Sequence, residues 1–246
     1  MNSKCQIVWN ITSKCNECCK FCFRKKCKEN SLKENKKIVD NLTHMNIETL
    51  SLSGGEALLY KDLFELVKYI KIKLPNIKLI LNTNGQNINE DKLQKIICEF
   101  DVITLPIDST DNDFNRIIGR GDKHLLNILK ILDFCNNKIE IKINTILMKN
   151  NINEIEKIYD LIKNYNIKRW KIFKFLPVRE AQKYINDFGV SEEISRMIED
   201  KILKINAISK INISYNKEKK YKTKYFIYPD GTIENNRLEQ IDDMIE

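Results

Sequence analysis

Three cysteines, Cys15, Cys19 and Cys22, fall in the spacing C-x3-C-x2-C directly after a short apolar run, Ile7-Val8-Trp9-Asn10-Ile11, that reads as a first strand. Thiolates this close together select iron–sulfur clusters or zinc. Three ligands leave one iron of a four-iron cubane open, and an open coordination position marks a catalytic rather than a structural metal. Cys18 permits a second parsing as two fused C-x2-C pairs, Cys15/Cys18 and Cys19/Cys22. Zinc ribbons separate their paired cysteines by a dozen or more residues, and two pairs without a spacer would strain a tetrahedral site. The cluster reading is therefore preferred, with Cys18 a bystander thiol.

Strand and helix signals then alternate with short connections, the pattern of parallel α/β architecture. Helical patterns are expected over 33–45, 61–74, 89–100, 123–136 and 152–165. Strands are expected over 49–53, 78–82, 102–107, 139–147 and 169–175. The sequence 108–122 reads as a polar loop. Six βα-type units in succession imply a partial (βα)6 TIM-like barrel. We place this core at residues 1–176, with residues 177–246 a C-terminal extension of the same domain that closes the barrel. The extension holds a helix near 191–203, short strands at 211–215, 225–228 and 232–234, and a Pro229-Asp230-Gly231 turn.

No run of 18 or more apolar residues occurs, and the first residues lead straight into a strand, so no membrane partner and a cytoplasmic location are expected. Eight cysteines in such a chain argue for metal binding over disulfides. The net charge of +8 suits an anionic small substrate. Without a recognisable nucleic-acid-binding module it gives no reason to expect a nucleic acid partner.

Ligands of α/β barrels bind where the strands end. At those ends stand Ser53-Gly54-Gly55-Glu56, Thr83-Asn84-Gly85 and Ser109. Glycines allow close backbone approach there, and a carboxylate accepts from an ammonium group. The segment Ile139-Glu140-Ile141-Lys142-Ile143-Asn144-Thr145 alternates cleanly, with isoleucines on one face. In a barrel that face meets the outer helices, and Glu140, Lys142 and Asn144 line the interior. Arg169 and Lys171 repeat the device on the next strand. Interior lysines are costly unless paired with a residue such as Glu140 or met by an anion, and a cationic pocket for polyphosphate or carboxylates is the preferred reading.

The cysteine spacing followed one unit later by Gly54-Gly55-Glu56 resembles the radical S-adenosylmethionine (SAM) superfamily. Within it the chain resembles the viperin family through Cys19-Lys20-Phe21-Cys22-Phe23, Ile118-Gly119-Arg120-Gly121, Lys142-Ile143-Asn144-Thr145 and Arg169-Trp170-Lys171-Ile172-Phe173. A looser match covers Tyr225-Phe226-Ile227-Tyr228-Pro229-Asp230-Gly231. The resemblance implies that Cys15, Cys19 and Cys22 hold a [4Fe–4S] cluster. It puts Phe21, Ser53, Gly54, Gly55, Glu56, Asn84, Ser109 and Arg120 about SAM, with Phe21 on the adenine. Lys142, Asn144, Arg169 and Lys171 would hold a ribonucleoside triphosphate, with Tyr225 as a catalytic residue near the ribose.

The implied activity is dehydration of that nucleotide to its 3′-deoxy-3′,4′-didehydro form through a 5′-deoxyadenosyl radical, in antiviral defence. An electron donor such as a flavodoxin or ferredoxin is also implied. Glu17 and Lys20 depart from the family's usual Tyr and Gly within the cysteine motif, and Arg179 is a further departure. The alternatives are a radical SAM enzyme acting on a peptide or protein, and a non-catalytic zinc-stabilised interaction protein. Absence of cysteines beyond Cys135 counts against the peptide-modifying type with extra clusters.

Overall fold

A computed structural model describes residues 4–216 and 224–235; residues 1–3, and residues 217–223 and 236–246 of the extension, lie outside them. The first half of the chain runs β1 (Cys5–Asn10), α1 (Leu32–Leu42), β2 (Ile47–Ser53), α2 (Leu63–Lys73), β3 (Lys78–Asn82), α3 (Glu90–Glu99) and β4 (Val102–Pro106). It continues as α4 (Asn112–Ile117), α5 (His124–Cys135), β5 (Glu140–Leu147), α6 (Glu154–Ile162) and β6 (Ile167–Lys174). The extension holds α7 (Ile185–Phe188), α8 (Glu192–Asn206), β7 (Asn212–Asn216), β8 (Lys224–Ile227) and β9 (Ile233–Asn235).

Local chemistry sets many of these boundaries. Ser31 and Glu34 form a reciprocal capping box at α1, while Asn89, Asp111 and Ser191 accept from first-turn amides of α3, α4 and α8. The loop expected over 108–122 therefore contains a short helix, α4. Its six residues include two asparagines and an aspartate, a composition with little helical propensity, and the Asp111 cap starts it.

The sheet order is β7-β6-β5-β4-β3-β2-β1-β8-β9, parallel throughout except for the β8–β9 pair. This is the partial-barrel architecture of alternating β and α units. Expected to close the barrel, the extension adds strands to opposite ends of the arc, β7 beside β6 and β8 beside β1. Among the described residues no ladder joins β7 to β9.

Register decides which side chains meet the helices and which face the lumen. Ile7, Leu50, Ile143 and Trp170 lie on the outer face and are completely or almost completely buried against helix residues such as Val39, Leu66 and Ile158. The Trp170 indole donates to Thr145 Oγ1 at 2.9 Å, so its burial leaves no orphan N–H. The opposite face carries Gln6, Ser51, Thr104, Lys142, Asn144, Arg169 and Lys171 in mutual register or strict alternation. Isoleucines outward and polar groups inward is the arrangement the alternation of 139–145 implies.

Candidate active site

The cysteine loop leaves β1 and is held backbone to backbone. Gly55 N donates to Thr12 O and Glu56 N to Lys14 O, both at 2.8 Å. A Cβ on Gly54 would stand 2.5 Å from Thr12 O, and one on Gly55 2.2 Å from Lys14 O. Both glycines thus serve the approach of the cysteine-bearing segment to the end of β2. A second clamp comes from the turn after α4: Cys18 N donates to Gly119 O at 3.3 Å and Lys20 N to Ile118 O at 2.9 Å. Gly119 has φ +87°, and a Cβ there would lie 2.3 Å from Cys18 O. Gly119→Ala is expected to cost about 2–5 kcal/mol, left-handed backbone and steric displacement together. Denaturant unfolding measures the loss, and a change below about 1 kcal/mol would show that the two loops separate freely.

Between these clamps lies a buried polar network that the sequence did not reveal. Glu17, inside the cysteine motif, accepts from Arg120 Nη1 at 2.7 Å and from Gln86 Nε2 at 3.3 Å, and lies 3.2 Å from His124 Nδ1. Burial pushes its carboxyl up, but the His124 hydrogen bond and the Arg120 charge outweigh that and hold it at about 2. Arg120 also donates through Nε and Nη2 to Asp108 Oδ2 at 3.0 and 2.8 Å. Its guanidinium stacks on the Phe21 ring, 5.1 Å from the centroid. The departure noted at Glu17 was the one available signal of this network. Asp108, Gln86 and His124 had none.

On the other side of the loop, Glu56 is buried and accepts from Asn84 N at 2.6 Å, Thr83 Oγ1 at 2.7 Å and Leu58 N at 3.1 Å. Burial pushes its carboxyl up against those bonds. Asn84 donates through Nδ2 to Asn16 Oδ1 at 2.7 Å, with Cys15 Sγ 3.8 Å away. The residues expected about SAM are thus gathered round the cysteine loop, at the ends of β2, β3 and β4.

Three of them are engaged within the protein. Ser109 is fully buried and donates to Glu154 Oε2 at 2.9 Å. Arg120 is committed to Asp108 and Glu17, and Phe21 lies beneath Arg120. These internal partners fix the orientation of the three side chains. Ser53 stands at the lumen end of β2 opposite Asn10, and its carbonyl accepts from Ile11 N at 3.0 Å.

The donor set suits an iron–sulfur cluster. Cys15, Cys19 and Cys22 are partly accessible on one loop, and Cys18 is exposed. Burial raises the thiols of Cys15 and Cys19, so an adjacent metal's positive charge is what would stabilise them as thiolates. Among the described residues no three His, Cys, Asp or Glu side chains converge as ligands for one ion. A cubane instead offers separate irons to separate thiolates.

Deeper in the barrel, Lys142 pairs in register with Arg169, and Asn144 with Lys171. Lys142 forms an internal ion pair: its Nζ lies 3.3 Å from Glu140, which also takes Lys78 at 2.8 Å. Lys171 has no such partner among the described residues. Burial, then the charges of Arg169, Lys224 and Lys142, hold Lys171 down at about 8. Burial likewise holds Lys224 at about 8.

Tyr225 requires a correction. It pairs with Ile7 on the helix-facing side of β8, whereas Lys224 pairs with Gln6 on the lumen side. With only four residues, β8 shows no alternation from which the face could have been read.

The family model described as the radical SAM superfamily matches residues 9–162. The chain is 32% identical over 202 residues to an S-adenosylmethionine-dependent nucleotide dehydratase of Psychrobacter lutiphocae, covering 72% of this chain and 66% of that protein. It is 31% identical over 203 residues to a protein of the same name from Flammeovirga pacifica, covering 76% and 68%. The chain thus spans about two thirds of these relatives' length. Streptococcus suis SuiB, solved bound to S-adenosylmethionine, superposes with a TM-score of 0.77 at 17% identity, over 93% of this chain and 59% of that one. This last likeness is one of fold.

Proposed function

The chain belongs to the radical SAM superfamily, with relatives among its nucleotide dehydratases, and from that premise we propose that it dehydrates a ribonucleoside triphosphate to the 3′-deoxy-3′,4′-didehydro nucleotide. Membership implies a [4Fe–4S] cluster and SAM as cofactors. The observation that carries the substrate class is the cationic wall of Lys142, Arg169 and Lys171, on one face of adjacent strands beneath the cysteine loop. A lysine held at about 8 by burial first and neighbouring cations second is matched by an anion, and a triphosphate brings several charges.

In this reading Cys15, Cys19 and Cys22 hold the cluster. Gly54, Gly55 and Glu56 meet SAM, with Ser53 and Asn84 beside them. Bound there, the cluster and SAM would supply one-electron radical chemistry at the ribose. The protein's share is positional. The Glu17–Arg120–Asp108 network fixes the loop, Lys142, Asn144, Arg169 and Lys171 fix the phosphates, and the barrel wall keeps water from the reacting carbon. A one-electron donor of the flavodoxin or ferredoxin class completes the system. Among the described residues no helix is long and apolar enough to cross a membrane. Antiviral chain termination is the role such a product would serve.

The test is anaerobic cluster reconstitution followed by SAM, reductant and each ribonucleoside triphosphate in turn. One of them is expected to stimulate 5′-deoxyadenosine formation well above the rate with SAM alone. Stimulation by none of the four would overturn the nucleotide reading and leave the superfamily assignment intact.

A further inference from the structure

Five of the nine residues from Lys20 to Lys28 are cations, Lys20, Arg24, Lys25, Lys26 and Lys28, and none is a carboxylate. The run contains Cys22 and leaves the cysteine motif as irregular backbone, yet it is fixed at three points. Arg179 Nη1 donates to Phe23 O at 2.6 Å, Ser13 Oγ to Cys27 O at 3.0 Å, and Asn30 N to Pro229 O at 2.8 Å. These bonds occupy backbone groups of the loop and leave the side chains of Phe23, Lys26 and Lys28 exposed. Arg179 makes its contact from φ +52°, a left-handed backbone uncommon outside glycine. Lys25 and Arg179 both lie over the Tyr228 ring, 4.7 and 6.0 Å from its centroid, and Lys20 lies over Tyr184 at 5.6 Å. The basic loop, the turn Arg179–Tyr184 and the end of β8 thus form one surface beside the cysteines. Phe23, next in sequence to a cluster ligand, is 51% exposed on it.

The carboxylates of this surface are engaged: Glu29 with Lys14, Glu180 with Lys183 and Glu234 with Lys25. A surplus of positive charge therefore faces solvent. Its members are spread along an exposed loop rather than converged on one point, which suits a broad acidic surface better than a small anion. Charges steer such an encounter and a small apolar contact at its centre holds it, as befits the modest, transient interfaces of redox partners. A reduced flavodoxin-type protein has the complementary form, an exposed flavin edge ringed by carboxylates. We propose that the face centred on Phe23 and ringed by Arg24, Lys25, Lys26, Lys28 and Arg179 docks an acidic flavoprotein that reduces the cluster. The flavin hydroquinone anion gives up one electron and no proton, becoming the neutral semiquinone, and the cluster held by Cys15, Cys19 and Cys22 is reduced by one electron. This inference rests on the radical reading above and gives its electron donor a place to bind. It also gives Arg179 a task outside the nucleotide pocket, as the anchor of the loop that carries Phe23.

The reconstituted full-length protein is mixed anaerobically with reduced flavodoxin, and cluster reduction is followed by stopped-flow absorbance. The second-order rate for the wild type is expected to fall at least about tenfold between about 0.05 and about 0.5 M salt. Reversing two exposed charges together, Lys26→Glu with Lys28→Glu, is expected to lower the low-salt rate at least about tenfold and to flatten the salt dependence. Lys26→Arg with Lys28→Arg is expected to stay within about twofold of the wild type. Reduction by dithionite and calorimetric SAM binding are expected to be unchanged in both variants. A wild-type rate indifferent to salt, or charge reversal without effect on the flavodoxin rate, would overturn the inference. Equal slowing with dithionite would also overturn it, since the loop would then be supporting the cluster and not a donor. Faster reduction by an acidic ferredoxin, with the same loss on charge reversal, would replace the flavoprotein as occupant. Binding of single-stranded RNA that is lost on charge reversal, with flavodoxin reducing both proteins alike, would give the face to nucleic acid instead. Reduction through this face without stimulation by any ribonucleoside triphosphate would leave the docking site standing and fell the nucleotide reading.

Discussion

Exchanging Arg120 for methionine is expected to cost about 3–5 kcal/mol of folding stability, among the largest losses any single substitution in this chain would produce. The guanidinium is buried between two carboxylates, Glu17 on the cysteine loop and Asp108 after β4. Its removal leaves both charges in a low-dielectric interior with only partial compensation. Glu17 would retain Gln86 and His124, and Asp108 would retain the backbone amide of Ile146. Lysine is expected to restore only part of the loss, because one ammonium cannot reproduce a planar fork that serves two carboxylates at once. Urea unfolding of the wild type and both variants gives the comparison. A methionine variant within about 1 kcal/mol of the wild type would mean that Glu17 and Asp108 reach water without disturbing the fold, and the proposed fastening of the cysteine loop would be wrong.

The second large effect concerns Lys171. Its conversion to alanine is expected to weaken triphosphate binding by at least about thirtyfold while leaving SAM binding unchanged. Equal loss of both ligands would show that the pocket is misplaced. The same residue gives binding a pH dependence whose sign follows from its surroundings: Arg169 on its own strand, Lys142 on the adjoining strand with Glu140 and Lys78, and Lys224 of β8, whose charge reaches it.

Before any ligand binds, burial holds Lys171 and Lys224 at about 8, below the ordinary lysine value. An anion favours the protonated forms, so the complex takes up protons from solution when it forms between about pH 8 and 9.5, and affinity falls as pH rises through that range. Calorimetry in buffers of different ionisation enthalpy reads the proton uptake directly, and uptake indistinguishable from zero at pH 8.5 would count against the anion site. Folding stability of the free protein moves the opposite way. The native state binds fewer protons than the unfolded chain between about 8 and 10.5, so stability rises with pH across that window.

Much of this architecture is legible in the chain because the βα alternation and the two-residue period of 139–145 are strong local patterns. The inward placement of Lys142, Asn144, Arg169 and Lys171 follows from that period, and the sheet register agrees. What the sequence conceals is pairing at a distance. Nothing local to Ser109 says that its hydroxyl goes to Glu154, forty-five positions away. Nothing near Arg120 says that Glu17, 103 positions earlier, will take its charge. The face of β8 is hidden for the same reason, since four residues carry no period and only the pairing with β1 settles it. Gly54 and Gly55 mark close approach in the sequence, and the backbone they approach is the cysteine loop itself.

The pairing of β8 with β1 also has a consequence for how the chain is made. The strand that covers one side of β1 lies more than two hundred residues downstream, so β1 leaves the ribosome with that edge bare and keeps it so until those residues have been made. Contacts of such long span close late and slow the search for the native state. The nascent protein therefore carries an adhesive edge while the residues between β1 and β8 are made, and its yield in a cell should depend on chaperone supply more steeply than its finished stability would indicate.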